Sequence, residues 1–188
     1  MDLNTLILEM KDTSELMLDL AYSALLFNSR EIAEEVYYLE ERIDKLNRKV
    51  EKMVVTQVSR KNPEAALTYI RLASSIEVIA DSARDIADVV LRDIEPHPIL
   101  SASIKDSEVM IATMKVSPKS IICNKKLGKV RLASETGMWV IAIRRSNKMI
   151  FGPDEFTTIY PDDILFARGP GDSIPILRKI AAGKLKKL

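Results

Sequence analysis

Apolar residues recur every three or four positions across residues 3–94, which is the period of amphipathic helices. The predicted helices span residues 3–27, 30–60 and 63–94. Ser29 can cap the second helix, and Pro63 fits the first turn of the third, because helix interiors exclude proline. Ile76 and Ile79 are among the residues expected to face inward from the third helix. The pattern therefore predicts three long antiparallel helices.

Short apolar runs separated by turn residues replace the helical period after residue 108. Strands are predicted over residues 109–116, 138–143, 148–151 and 164–167, helices over 126–133 and 174–182, and turns at 153–154, 161–163 and 169–172. Residues 138–143 are apolar throughout, so this strand is predicted to be buried on both faces, and Trp139 is expected in the core or at an interface. This half is predicted to be a small α+β unit.

The sequence Glu95-Pro96-His97-Pro98 joins the two halves. Each proline favours extended backbone in the residue before it, so this joint is not expected to be helical. The predicted domains are residues 1–95, which are all-α, and residues 108–188, with a linker at residues 96–107. His97 is the sole histidine and is expected to be a linker residue rather than a ligand or a catalytic base.

Charge also divides the chain. Residues 1–95 carry 12 Lys and Arg against 19 Asp and Glu, a net −7, and residues 96–188 carry 16 against 8, a net +8.

The single cysteine, Cys123, excludes an internal disulfide and fits a reducing compartment. The start of the sequence lacks the features of a secretory signal, and the apolar runs are shorter than the roughly 20 residues that span a bilayer. A cytoplasmic location is expected.

Catalytic motifs are not found in the sequence. It holds no serine paired with a histidine and no cluster of cysteine and histidine. Gly169-Pro170-Gly171 lacks the third glycine of a dinucleotide-binding loop. Basic patches interleaved with aromatic residues are also missing, so nucleic acid is not an expected partner. We therefore expect a protein that is not an enzyme.

Carboxylates cluster on one side of the third predicted helix. At roughly 100° per residue, four of them fall within an arc of about 80°, and the second helix adds two more. The six are Glu77, Asp81, Asp85, Asp88, Glu40 and Asp44. Hard oxygen ligands of this kind can bind a divalent or iron-type metal ion. The alternative is a solvated acidic face, which the nearby Arg42, Lys45 and Arg84 would neutralise.

An ordered set of short motifs lies in residues 108–183. It comprises Ser117, Lys126-Leu127-Gly128 to Leu132, Thr136-Gly137-Met138, Val140 to Arg145, Ile150 with Pro153, and Pro161-Asp162-Asp163-Ile164-Leu165. In this order and spacing the second half resembles the TrkA C-terminal domain, also called RCK-C, which regulates potassium channels and transporters. One departure is Asp162, where the family commonly has glycine.

This resemblance implies a ligand. Some RCK-C domains bind a small anionic ligand, notably cyclic di-adenosine monophosphate, at their dimer interface, using positions around the central strand. Carried onto this sequence, the candidate ligand-binding residues are Val140, Ile141, Arg144, Arg145 and Ile150. Guanidinium groups would bind phosphate, and apolar side chains would contact the base. The alternative is that the two arginines only follow a strand where it meets solvent.

The first half resembles one three-helix repeat of a PhoU domain. The resemblance lies in Glu77 and Asp81, which three residues separate, and in Asp85-Ile86-Ala87-Asp88. A full PhoU has two such repeats and this chain has one. A homodimer is therefore expected, because pairing two chains would restore a six-helix body. PhoU-like proteins also bind metals, which implies that the carboxylates named above hold a metal ion.

Taken together, these patterns predict a cytoplasmic regulatory and ligand-sensing protein associated with potassium transport. It is expected to reach the membrane peripherally, through a cation transporter or channel subunit. The alternative function is a metal-binding PhoU-type modulator of phosphate transport signalling, whose C-terminal unit only dimerises. The expected effector is a cyclic dinucleotide for the first function and a divalent or iron-type metal ion for the second.

Overall fold

The computed structural model describes residues 2–94 and 109–185. The chain divides into two compact units, Met1–Ser101 and Ala102–Leu188. The predicted fold class is confirmed, because the first unit holds long helices and the second holds a small antiparallel sheet with helices. The predicted linker at residues 96–107, with His97, lies outside the described residues. The domain limits drawn from the sequence stay a prediction.

Residues 2–94 form three long helices, α1 (Leu3–Phe27), α2 (Arg30–Met53) and α3 (Pro63–Leu91). Each begins at a capping side chain: Asp2, Ser29 and Asn62 accept hydrogen bonds from the backbone N–H groups three residues later. The α-helical part of the second helix ends at Met53 rather than near residue 60, and a π-helical turn, Val54–Val58, follows it.

The three helices share one apolar core. Its fully buried large side chains include Met10, Met17, Leu20, Leu39 and Ile43 of α1 and α2. The third helix contributes mostly alanines, namely Ala66, Ala73, Ala80, Ala83 and Ala87, and these small side chains let it pack closely. Ile76 faces inward as predicted, but Ile79 is 45% exposed, so its predicted position is wrong. The reason is geometric, because Ile79 is turned by roughly 100° from the buried Ala80.

Residues 109–185 form a four-stranded sheet of order β1-β4-β2-β3, in which all neighbours are antiparallel. The strands are β1 (Val109–Lys115), β2 (Trp139–Arg145), β3 (Lys148–Phe151) and β4 (Ile164–Pro170). The helices are α4 (Leu127–Val130), α5 (Leu132–Thr136) and α6 (Ile174–Ala181). A 3₁₀ turn, Gly171–Ser173, leads into α6. The buried core includes Met114, Ile122, Met138, Ile143, Leu165 and Leu177.

Two segments of the second unit differ from the sequence prediction. The single helix predicted at residues 126–133 is two short helices, because Arg131 between them has a left-handed backbone with φ 51°. The turn predicted at residues 169–172 is wrong in its first half, since Gly169 and Pro170 continue β4 and pair with β1. Glycine is needed at 169 because a Cβ there would lie 2.4 Å from the carbonyl oxygen of Gly137.

The central strand is not buried on both faces as predicted. Trp139 is 68% exposed, Val140 and Ile141 are half-buried, and Ala142 and Ile143 are buried. A β-bulge between Val140 and Ala142 shifts the register of β2 against β4 at this point. The prediction therefore holds only for the part of the strand after the bulge, and Trp139 is not a core residue of the described chain.

Candidate functional site

The five predicted ligand residues lie on one hairpin, formed by β2 and β3. Val140 and Ile150 are half-buried and pack against the core. Ile141 lies in the bulge, where its carbonyl oxygen accepts a hydrogen bond from the Gly152 N–H at 2.9 Å. Arg144 is half-buried and lies opposite a residue of β3 in the register. The hairpin therefore brings these residues into one region, and their role in binding stays a prediction.

Arg145, the fifth of these residues, makes a bidentate ion pair with Asp163. Its Nε donates to Oδ1 at 2.9 Å and its terminal nitrogen donates to Oδ2 at 2.8 Å. The guanidinium also donates to the Thr158 carbonyl oxygen at 2.7 Å and lies 4.4 Å from the centre of the Tyr160 ring. These bonds to Asp163 raise the pKa of the Arg145 guanidinium. The group predicted to bind phosphate is therefore already engaged within the unit.

The turn before β4 positions Asp163 for this pairing. Its Oδ2 also accepts a hydrogen bond from the Tyr160 N–H at 2.8 Å, and the side chain is 1% exposed. Asp162, the departure noted in the sequence, has φ 64° and an exposed ion pair with Lys115 at 2.9 Å. Aspartate tolerates this left-handed backbone better than most residues.

A cavity of about 260 Å³ lies beside the start of β2. Its walls come from α4, α5, the first residues of β2 and the segment after β3, and include Leu127, Arg131, Leu132, Trp139, Val140, Pro153 and Asp154. Of the five predicted ligand residues, Val140 alone lines it. Hydrogen bonds from Thr157 lower the pKa of Asp154, so this carboxylate is charged at neutral pH. The cavity thus combines apolar walls with charges of both signs.

Arg131 and Trp139 are cavity residues that sequence reasoning did not select as ligands. Arg131 is placed there by its left-handed backbone between two helical turns, which residue spacing does not reveal. Trp139 looked like a buried residue because it stands in an apolar run. An exposed indole at a cavity presents a flat apolar face on which a nucleobase can stack.

Most of the six predicted metal-binding carboxylates are paired with residues of α2 or α3, whereas Asp85 is exposed on the outer face of α3. The pairs are Glu40 with Arg84 at 2.7 Å, Glu77 with Asn47 at 2.8 Å, Asp88 with Tyr37 at 2.6 Å, and Asp44 with Arg48 at 3.3 Å. Burial raises the pKa of Glu40, and the charge of Arg84 opposes that rise. Asp81 and Asp85 also act through their charges on Arg84. One arginine therefore balances several carboxylates.

Within residues 2–94 and 109–185, no group of three or more His, Cys, Asp or Glu is placed to hold a metal ion. Of the three cations expected to neutralise this acidic face, Arg84 pairs with Glu40, whereas Arg42 pairs with Glu9 and Lys45 pairs with Glu41. Metal binding by the six carboxylates stays a prediction that this geometry does not favour.

Two family models match the chain. Residues 7–90 match the PhoU domain, and residues 111–182 match the TrkA-C domain. The chain contains a PhoU domain followed by a TrkA-C domain. The resemblances drawn from the sequence motifs are confirmed. The PhoU match lies within α1 to α3, and the TrkA-C match runs from β1 to just past the end of α6.

Several solved structures are similar to this chain, over shares that differ from one structure to the next. The RCK_C domain dimer of S. agalactiae BusR in complex with c-di-AMP is 23% identical, with 42% of this chain and 96% of that chain covered and a TM-score of 0.38. The RCK C domain of KtrA in complex with c-di-AMP is 21% identical, with 44% and 94% covered and a TM-score of 0.36. S. agalactiae BusR in complex with its busAB-promoter DNA is 16% identical, with 93% and 96% covered and a TM-score of 0.38.

No curated protein matches the chain. None of the helices in residues 2–94 and 109–185 combines the length and the apolar character of a membrane span.

Proposed function

We propose that this protein is a cytoplasmic regulatory subunit of potassium or other cation transport, and that its TrkA-C domain senses a small anionic nucleotide. The observation that carries the proposal is the cavity inside the matched domain, with Arg131, the exposed Trp139 and Val140 in its lining. Both matched domains are regulatory types, which supports a role without catalysis. The partner on the membrane would be a cation transporter or channel subunit.

The lining suits one end of a nucleotide. A base would stack on Trp139 and contact Val140 and Leu132, while a phosphate would pair with Arg131. Arg145 is less suited to this role, because binding phosphate would break its ion pair with the buried Asp163. Arg131 is therefore the stronger candidate for the phosphate contact.

The size of the cavity supports a site shared between two chains. Pockets that enclose a whole drug-sized ligand measure roughly 300 to 1,000 Å³, and this cavity measures about 260 Å³. It would hold one base and its phosphate rather than a whole cyclic dinucleotide. The rest of such a ligand would need a second surface, which a second copy of the chain can supply.

Trp139 is the sole tryptophan, so its fluorescence reports directly on the cavity. We expect titration with cyclic di-adenosine monophosphate to change the Trp139 emission, and we expect this change to saturate as the ligand concentration rises. Arg131→Asn should weaken binding by about tenfold to a hundredfold, because one charge-assisted hydrogen bond is lost. Asparagine is chosen because it tolerates the left-handed backbone.

Lys129→Gln is the matched control, since Lys129 is an exposed cation of α4 outside the cavity lining. Equal weakening by both variants would show a general effect of charge and contradict the cavity site. No emission change with the dinucleotide or with ATP, together with unchanged ligand concentrations in equilibrium dialysis, would remove the sensing function. The same titration with duplex DNA tests the prediction that nucleic acid is not a partner.

A further inference from the structure

The outer face of α3 differs from that of α2. Every exposed residue of α2 is charged, whereas only three of the twelve exposed residues of α3 are charged, namely Glu64, Arg71 and Asp85. Four large apolar side chains of α3 are also exposed, Leu67, Leu72, Val78 and Ile79. A solvated helix face normally resembles that of α2, so the face of α3 has the composition of a contact surface.

Seven residues on this face form a pattern that is symmetric about Val78. They stand 4, 7 and 11 positions before and after it, and are Leu67, Arg71, Ser74, Val78, Ser82, Asp85 and Val89. At roughly 100° per residue, all of them lie within about 40° of Val78 around the helix. Val78 itself is 63% exposed, more than any other large apolar side chain of α3.

The chemistry of the pattern is self-complementary. Residues equally far from Val78 are both apolar (Leu67 and Val89), oppositely charged (Arg71 and Asp85) or both small (Ser74 and Ser82). We propose that this face binds a second copy of the chain, so that two α3 helices pack antiparallel with a two-fold axis at Val78. Each residue then meets its opposite number on the partner, as an isologous contact requires.

The charges and the sizes of the side chains on this face support antiparallel packing of the two α3 helices. Antiparallel pairing places Arg71 of each chain opposite Asp85 of the other, twice in the dimer, whereas parallel pairing would bring like charges together. The Ser82 hydroxyl donates to the Val78 carbonyl oxygen at 2.8 Å, so it is satisfied within its own helix. Small residues beside Val78 let the two helices approach closely. The contact is independent of the ligand proposed for the TrkA-C domain.

Cysteine cross-linking of the full-length chain tests both the contact and its direction. In a Cys123→Ser background, Val78→Cys should form a disulfide dimer under mild oxidation, because the two thiols meet at the axis. Mixing Ser74→Cys with Ser82→Cys should also cross-link. Ser74→Cys alone should not, because its two copies would be about 12 Å apart along the helices. Lys45→Cys, on the charged face of α2, measures random collision.

Val78→Cys cross-linking no faster than Lys45→Cys would overturn the proposal. Efficient cross-linking of Ser74→Cys with itself would indicate parallel helices and overturn it as well. Charge reversal adds a second test, in which the changed residues, Arg71 and Asp85, are exposed. Arg71→Asp should slow the Val78→Cys cross-link by about tenfold, and adding Asp85→Arg should restore it. An unaffected rate, or a further loss in the double variant, contradicts the proposed pairing.

Discussion

At the scale of single residues, the bidentate ion pair of Arg145 with Asp163 joins two distant segments of the TrkA-C domain. Asp163 is 1% exposed, and its carboxylate accepts hydrogen bonds from Arg145 and from the Tyr160 N–H. A buried carboxylate is stable only when such partners replace the lost water. The pair therefore fixes the end of β2 against the turn before β4.

We expect Asp163→Asn to destabilise the TrkA-C domain by about 2 to 4 kcal/mol, because Arg145 would lose its counter-charge in a half-buried position. Urea unfolding followed by Trp139 fluorescence measures this, since the sole tryptophan lies in that domain. Asp162→Asn is the matched control. Its partner Lys115 and Asp162 itself are both exposed, so the loss should stay below about 1 kcal/mol. Equal losses in the two variants would contradict this account.

This ion pair was beyond the reach of sequence reasoning. Arg145 and Asp163 are 18 residues apart in the sequence, and only the β2–β4 register brings them together. Read alone, two arginines after an apolar strand look available for a ligand. For Trp139 the error has the opposite direction. Its apolar neighbours in the sequence indicate burial, but the indole is exposed beside the bulge.

At the scale of elements, the contact between α2 and α3 combines an alanine-rich apolar line with a row of polar pairs. Arg84 stands among Glu40, Asp81 and Asp85, and it pairs directly with Glu40. Burial is the larger influence on Glu40 and raises its pKa, while Arg84 lowers it. The positive charge of Arg84 therefore favours the ionised form of Glu40 at the helix contact.

We expect Arg84→Gln to cost about 1 to 2 kcal/mol of PhoU-domain stability at pH 7, and less at about pH 4. Without Arg84 the pKa of Glu40 rises further above its usual value. A carboxyl with a raised folded-state pKa loses stability as pH rises through that pKa, so the deficit grows from pH 4 to pH 7. Urea unfolding followed by far-ultraviolet circular dichroism at both values measures it.

Arg48→Gln is the control for this experiment, because Arg48 is exposed and pairs with Asp44 within one helix. Its effect should be a few tenths of a kcal/mol, with little dependence on pH. A deficit for Arg84→Gln that is larger at pH 4 than at pH 7 would show that Arg84 does not hold Glu40 ionised.

The elements themselves were predictable to different degrees. The helices α1 to α3 follow from apolar spacing, from the cap Ser29 and from Pro63 in the first turn of α3, which act locally. The short helix before the break at Arg131 is hydrogen-bonded to the backbone of Glu155 and Thr157, and β4 continues through Gly169 because it pairs there with β1. Local patterns carry no information about those contacts, so the sequence predicted one helix and a turn instead.

At the scale of the whole molecule, a PhoU domain and a TrkA-C domain of opposite net charge are joined in one chain. We propose one surface for a second copy in each domain: α3 in the PhoU domain, and the cavity side in the TrkA-C domain, where a ligand would be shared. The α3 contact and the TrkA-C contact form a closed dimer when the same two chains make both contacts. A ligand bound at one contact can then change the other, provided that its affinity differs between two arrangements.

Calorimetric titration of the full-length protein with cyclic di-adenosine monophosphate tests nucleotide sensing by the TrkA-C domain, because it gives both affinity and stoichiometry. We expect saturable binding of one dinucleotide per two chains, lost when Val140→Asp places a charge in the cavity wall. Absence of heat at several temperatures, or full binding by the Val140→Asp variant, would contradict a nucleotide-sensing site in this domain.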